Sequence, residues 1–232
     1  MTHLSTRIST MQMGFMPNQS IGEQGMTVQC LREISTTSAS STTALLLDQE
    51  KAYDRVHLGY LKACMEVFHI PTALTTTAII NLFSSTTSTV NVNGYLSPSF
   101  QQRRRLRQGD PLIPLLFNIA FDPLLRALHN NSLLASFDIP RETNQPMTPS
   151  SPSPNKVLAY ADDTMVFLRH PSEFEHLQGI ITKYMLASNA SLNYTKTQAL
   201  SLSEQPLPLW RSFLEEQGIT AWHDNQAFQT LI

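Results

Sequence analysis

The chain is short of cysteine, of charge and of long apolar runs, and each shortage removes a class of explanation. Two cysteines among 232 residues, Cys30 and Cys64, are too few for a disulfide framework or a zinc site. They fit a reducing compartment. Only 15% of residues are charged, and 16 Lys and Arg against 18 Asp and Glu leave a formal charge of −2. A uniformly basic surface is therefore excluded, although phosphate contacts supply much of a nucleic-acid protein's affinity. No apolar run approaches the roughly 20 residues of a membrane helix, and residues 1–10 hold no apolar signal segment. The expectation is an intracellular protein with no membrane partner.

What remains is enough for a core. Apolar residues make up 41% of the chain, and its length allows one sizeable domain or two small ones. The few cations are also unevenly placed. Arg103, Arg104, Arg105 and Arg107 fall within five positions with no acid between them. By itself such a cluster is read equally well as a solvated basic turn or as a phosphate-binding patch.

Periodicity divides the chain into elements. Val28, Leu31 and Ile34 have helical spacing, whereas 44–47 is a short apolar run that suits a buried strand ending at Asp48. Leu58, Leu61, Met65 and Phe68 return to helical steps, and Pro71 opens another helix. Val90 and Val92 alternate with Asn91 and Asn93, and Asn93-Gly94 predicts a hairpin whose return strand is 97–105. A strongly apolar helix is predicted from Pro111 through Leu128, and a loop over 140–155, where five prolines stand among Ser, Thr and Asn. Residues 157–160 and 164–168 form a second hairpin. A helix over 174–185, a strand over 199–202 and a helix over 206–217 complete an α+β plan.

The second hairpin carries Asp162 and Asp163 at its tip, between strands apolar enough to be buried. Adjacent carboxylates at the edge of a core repel one another and are costly to desolvate unless a cation compensates. An ordinary Asp-containing turn is the competing reading. Asp48, at the end of its own strand, adds weight to the first. If the two elements are neighbours, three carboxylates meet at one sheet end, which suits two Mg²⁺ ions flanking a transferring phosphate.

Four segments in order then resemble the catalytic motifs of non-LTR retrotransposon (LINE-type) reverse transcriptases: DQEKAYDRV at 48–56, RQGDPLIPLLF at 107–117, YADD at 160–163 and LNYTKT at 192–197. GFMPNQSI at 14–21 is similar to a segment that precedes the first motif in that family. The resemblance implies a right-hand polymerase palm, an antiparallel sheet with helices packed on one face, and partial fingers. It assigns 1–43 to a partial fingers or pre-palm segment, 44–202 to the palm, and 203–232 to the start of the primer-grip and thumb connection. The implied reaction joins a deoxynucleotide to a DNA primer on an RNA template, with two Mg²⁺ (or Mn²⁺) ions, and the family places it in the nucleus.

Residue roles follow from the same resemblance. Asp48, Asp162 and Asp163 would hold the metals, Asp163 contributing less. Tyr53 would floor the sugar pocket and clash with a 2′-hydroxyl; its alternative is a core aromatic. Arg107, Gln108 and Gly109 would lie against the incoming nucleotide, and Arg103, Arg104 and Arg105 against nucleic-acid phosphates. Lys196 would approach the triphosphate, neutralising charge or donating a proton to the leaving pyrophosphate; its alternative is a solvated lysine. Asp54 and Asp110 read as caps of the helices that follow them.

Two positions depart from the family. Ile113 stands where a small hydroxyl residue is usual, and is expected to crowd the nucleotide site; Gln19 stands where Arg is frequent. Fingers strands would precede residue 1 and a thumb would follow residue 232. The reading open at this stage is a truncated copy that keeps its carboxylates, either an active polymerase or an inactive nucleic-acid-binding remnant.

Overall fold

The structure, a computed structural model, describes residues 6–84, 87–101, 110–137 and 156–224. Its centre is a five-stranded sheet in the order β6-β7-β1-β8-β9, built from β1 (Thr43–Leu47), β6 (Val157–Tyr160), β7 (Asp163–Leu168), β8 (Gln198–Ser201) and β9 (Ala221–His223). β1 lies in the middle, antiparallel to β7 on one side and to β8 on the other. A central strand covered on both faces has no solvent side, which is why TALLL is apolar without alternation.

The pleat nevertheless sorts these side chains by face. Leu45, Leu47, Val157, Ala159, Val166, Leu168 and Ala199 join the larger core. Ala44, Leu158, Met165, Phe167 and Leu200 join a smaller one on the other face. The larger core is closed by α3 (Leu58–Val67), α5 (Ile113–Asn130), α6 (Glu173–Ser188) and α7 (Pro208–Glu216). In α5 the side chains of Leu116, Phe117, Ile119, Phe121, Leu124, Leu125 and Leu128 are almost wholly buried. The smaller core is closed by α1 (Ile21–Thr37), whose Val28, Leu31 and Ile34 supply the helical stripe. A capping box starts α1: Ser20 and Glu23 each bond the other's backbone N–H.

The α+β palm plan is thus present, with its main helical layer on one face as expected. Several details differ. α1 adds cover to the second face, and β9 pairs parallel with β8, so the sheet is mixed. The helix expected from Pro71 begins as a π-helical stretch, Ala73–Ile80, before the short α4 (Asn81–Ser84). α2 (Ala52–Arg55) is a single turn after β1. The helix expected from Pro111 starts at Ile113, because 111–112 form a turn in which Asp110 Oδ1 accepts from Leu112 N at 2.9 Å. The Asn93-Gly94 turn is present, with φ of +51° and +89°. Its ladders are short, β2 (Thr87–Ser88) with β5 (Phe100–Gln101) and β3 (Asn91–Val92) with β4 (Tyr95–Leu96). The predicted strand over 97–105 extends beyond the described residues, as does the Pro-rich loop over 140–155.

Candidate active site

β1 and the β6–β7 hairpin deliver their acids to one end of the sheet. The register pairs Leu47 with Thr164, so Asp48 and Asp163 stand one step beyond the last pair, on facing chains. Tyr160 pairs with Asp163, leaving Ala161 and Asp162 as a two-residue turn. β1 is prolonged by further backbone bonds: Asn193 N donates to the Asp48 carbonyl at 2.9 Å, and Glu50 N to that of Ser191 at 2.8 Å. This pairing also brings the 192–197 segment to the site. Asp48, Asp163 and Lys196 line one pocket of about 260 Å³ with Tyr160, Gln198 and, from α1, Gln24.

The electrostatics follow from that convergence. Burial raises the Asp162 carboxyl above the ordinary range, opposed by a backbone hydrogen bond and reinforced by the charge of Asp48. Burial also raises Asp163, with Asp162 and then Asp48 adding to the effect. Asp48 thus makes ionisation of both hairpin acids less favourable, and Asp162 does so for Asp163, as like charges held together must. Tyr53, half-buried, has its hydroxyl pushed up to about 12 by burial, then by Asp162 and Asp163. Its ring is 4.5 Å from that of Phe117, which in turn stacks on Phe121 at 5.4 Å. The ring therefore packs on the core, as the core-aromatic reading expects, while its hydroxyl feels the charges of Asp162 and Asp163.

The acids do not form a ready-made cage. Among the described residues no group of three or more His, Cys, Asp or Glu could by itself hold a metal ion. Asp162 is absent from the lining of the pocket that Asp48 and Asp163 share. The donor set still fits Mg²⁺, a hard cation that takes one or two carboxylates and completes its shell with water and substrate phosphate.

The hairpin tip is supported from the N-terminal segment. Met13 N donates to the Ala159 carbonyl at 2.8 Å and Ala159 N to that of Met11 at 2.9 Å, so residues 11–13 run along the outer side of β6. Gly14 packs directly under the turn. A Cβ there would stand 2.1 Å from the Ala161 amide nitrogen, a backbone atom with no freedom to yield. Gly14→Ala is expected to lower stability by roughly 3 kcal/mol, at the upper end for overpacking, with urea unfolding as the measurement. A loss under about 0.5 kcal/mol would show that the approach is not tight.

A reverse transcriptase (RNA-dependent DNA polymerase) family model matches residues 1–226. The chain belongs to the reverse transcriptase family. It is similar to the Transposon TX1 uncharacterized 149 kDa protein of Xenopus laevis, 26% identical over 79% of this chain and 13% of that protein. A second relative is the Retrovirus-related Pol polyprotein from type-2 retrotransposable element R2DM of Drosophila melanogaster. It is 24% identical over 84% of this chain and 17% of that protein. The reverse transcriptase chain thus spans under a fifth of either relative's length. Both relatives come from non-LTR retrotransposons, the branch that the motif wording resembles. Among solved structures, telomerase from Candida tropicalis in complex with a fragment of telomeric RNA aligns with 85% of this chain and 31% of its own. The TM-score is 0.58 at 11% identity, a likeness of fold alone.

Not every residue singled out in the sequence is placed. Arg103, Arg104, Arg105, Arg107, Gln108 and Gly109 lie outside the described residues. Asp48, Tyr53, Asp162, Asp163 and Lys196 are brought to one end of the sheet. Asp54 does not cap a helix: it sits within α2, and His57 occupies the N-cap of α3. Ile113 is 3% exposed and packs in the larger core, so its bulk is absorbed there and does not project into the carboxylate pocket. Gln12 carries no periodic signal in the sequence, being a polar residue in a Met-rich stretch; its spacing of two residues from Gly14 is the available clue.

Proposed function

We propose that the chain performs the nucleotidyl transfer of an RNA-directed DNA polymerase, of the kind a LINE-type retrotransposon uses to copy its RNA. The observation that carries this reading is the meeting of Asp48 with Asp162 and Asp163 at one end of the sheet, where burial first and then the charge of Asp48 raise the carboxyls of Asp162 and Asp163. Such a cluster is in need of cations, and two Mg²⁺ ions (or Mn²⁺) are the fitting ones. The chemistry such ions supply when bound is activation of the primer 3′-hydroxyl and neutralisation of charge on the departing pyrophosphate.

The chain's own groups do the rest. Asp48, Asp162 and Asp163 would hold the ions at this end of the sheet, Asp163 contributing less. Lys196, exposed and lining the same pocket as Asp48 and Asp163, would balance charge on the pyrophosphate or give it a proton. Tyr53 lies under the sugar and excludes a 2′-hydroxyl by contact. The four arginines from 103 to 107, with Gln108 and Gly109, are assigned to template phosphates and the incoming nucleotide. The proposed partners are therefore an RNA template, a DNA primer and dNTPs, and the proposed site of action is the nucleus. Binding of telomeric RNA by the telomerase with the same fold supports the choice of nucleic acid.

The test is primer extension by the purified chain on an RNA template, with and without Mg²⁺. Extension that requires both Mg²⁺ and dNTPs is expected; extension that persists in excess chelator would sink the reading. Tyr53→Ala is expected to improve ribonucleotide use about 100-fold relative to deoxynucleotide use, measured as the ratio of kcat/KM values. An unchanged ratio would return Tyr53 to a packing role.

A further inference from the structure

Gln12 is 1% exposed, 149 residues away in sequence from the turn it touches. Its side-chain amide makes three hydrogen bonds. Oε1 accepts from Ala161 N and from Gly14 N, both at 2.8 Å, while Nε2 donates to the Ala161 carbonyl at 2.9 Å. One side chain thus satisfies both backbone polar groups of Ala161. Ala161 has φ of +58°, a left-handed conformation that a residue with a Cβ seldom adopts unless its surroundings impose it. The two peptide planes on either side of Ala161 are therefore set by Gln12, and the second of them leads directly into Asp162.

Gln12 is itself held firmly. Its neighbours Met11 and Met13 bond to Ala159, and Asn118 Nδ2 in α5 donates to the Gly14 carbonyl at 2.8 Å. On the other side of the turn the Asp162 carbonyl receives Thr164 Oγ1 at 3.3 Å and Gln49 Nε2 at 3.4 Å, both long. The shorter, better-buried contacts to the tip come from Gln12.

We propose that Gln12 is a positioning residue: by clamping Ala161 it holds Asp162 and Asp163 in the orientation that a divalent cation requires. The inference rests on the polymerase reading for its consequence, but its first readout needs no catalysis. Outer-shell groups that orient metal ligands commonly change affinity by about 10- to 100-fold when removed. Gln12→Met keeps the volume and length of the side chain and removes all three hydrogen bonds. Gln12→Glu keeps an acceptor for the two N–H groups and loses the ionised form's donor to Ala161.

The experiment compares the whole chain with these two variants in Mn²⁺ binding with dNTP present, since substrate phosphate completes the metal shell, followed by electron paramagnetic resonance of the free ion without primer or template. Hydrogen exchange of the Ala161 amide and steady-state extension are measured on the same preparations. For Gln12→Met, Mn²⁺ affinity is expected to fall about tenfold or more, the Ala161 amide to exchange faster, and kcat to fall with KM for dNTP unchanged. Gln12→Glu should recover part of each loss. A residue that only supports the fold would lower the unfolding midpoint and leave Mn²⁺ affinity intact in the folded range. That outcome, or wild-type kcat in Gln12→Met, overturns the proposal. If the parent binds Mn²⁺ yet extends no primer, the polymerase reading falls, and a weakened Mn²⁺ affinity in Gln12→Met still upholds the clamp. A parent that takes up no Mn²⁺ overturns both.

Discussion

Replacing Asp162 by Asn is expected to reduce Mg²⁺-dependent primer extension by at least about 1,000-fold, equivalent to about 4 kcal/mol of lost transition-state stabilisation, while the chain stays folded. The carboxylate supplies charge that an amide of the same shape cannot, so the loss falls on metal holding. Stability should move the other way. Asp162 has its carboxyl raised from an ordinary value of 3.8 by burial first, and by Asp48. A raised acid binds its proton more tightly in the native than in the unfolded state. Stability from this group is therefore greatest at low pH and declines as pH rises from the ordinary value through the raised one. Asn cannot ionise, so the variant should lose that decline. Urea midpoints without divalent ions, taken between pH 3 and 7, measure it. A variant that still extends primers, or a midpoint whose pH dependence matches the parent's, contradicts the assignment. Asp163→Asn should show the same signs with a smaller loss of extension.

Phe117→Ala should cost roughly 4 kcal/mol, since a fully buried aromatic loses both transfer energy and packing when truncated. Phe117 is 1% exposed and is flanked by Tyr53 and Phe121. The consequence extends beyond stability. Tyr53 packs its ring against that of Phe117, so removing the latter should loosen the floor assigned to the sugar and weaken discrimination against ribonucleotides. Phe117→Leu, which retains much of the volume, should cost under about 1.5 kcal/mol and hold most of the discrimination. Urea unfolding and the ratio of kcat/KM for the two nucleotide types separate the two effects. A Phe117→Ala loss below 1 kcal/mol would mean the cavity collapses and Tyr53 is supported from elsewhere.

Much of the fold could be read along the chain because its signals are local. TALLL before Asp48, the two apolar halves of the 157–168 hairpin and the stripes of α5 and α6 each show their burial in a few consecutive residues. β9 gave no comparable signal. Three residues, all only partly buried, become a strand because β8 offers an open edge. The position of α1 was also hidden: a helical stripe shows that a helix has a buried face, not which face of the sheet receives it. Ile113 misled for a related reason. Its likeness to a motif position pointed at the nucleotide site, whereas the helix rotation turns its side chain into the core.

Residue types and their order determined the family, the three acids and the strand and hairpin that carry them, since hydrophobic periodicity and motif spacing are properties of a line. The tertiary structure alone decided that β1 lies between β7 and β8, which sets Asp48 opposite the hairpin tip. It also decided that Gln12, Gly14 and Asn118 brace that tip and that Phe117 supports Tyr53. These are contacts between segments up to 149 residues apart. A polar side chain acquires such a role only when folding removes water from it and leaves two backbone groups for it to satisfy.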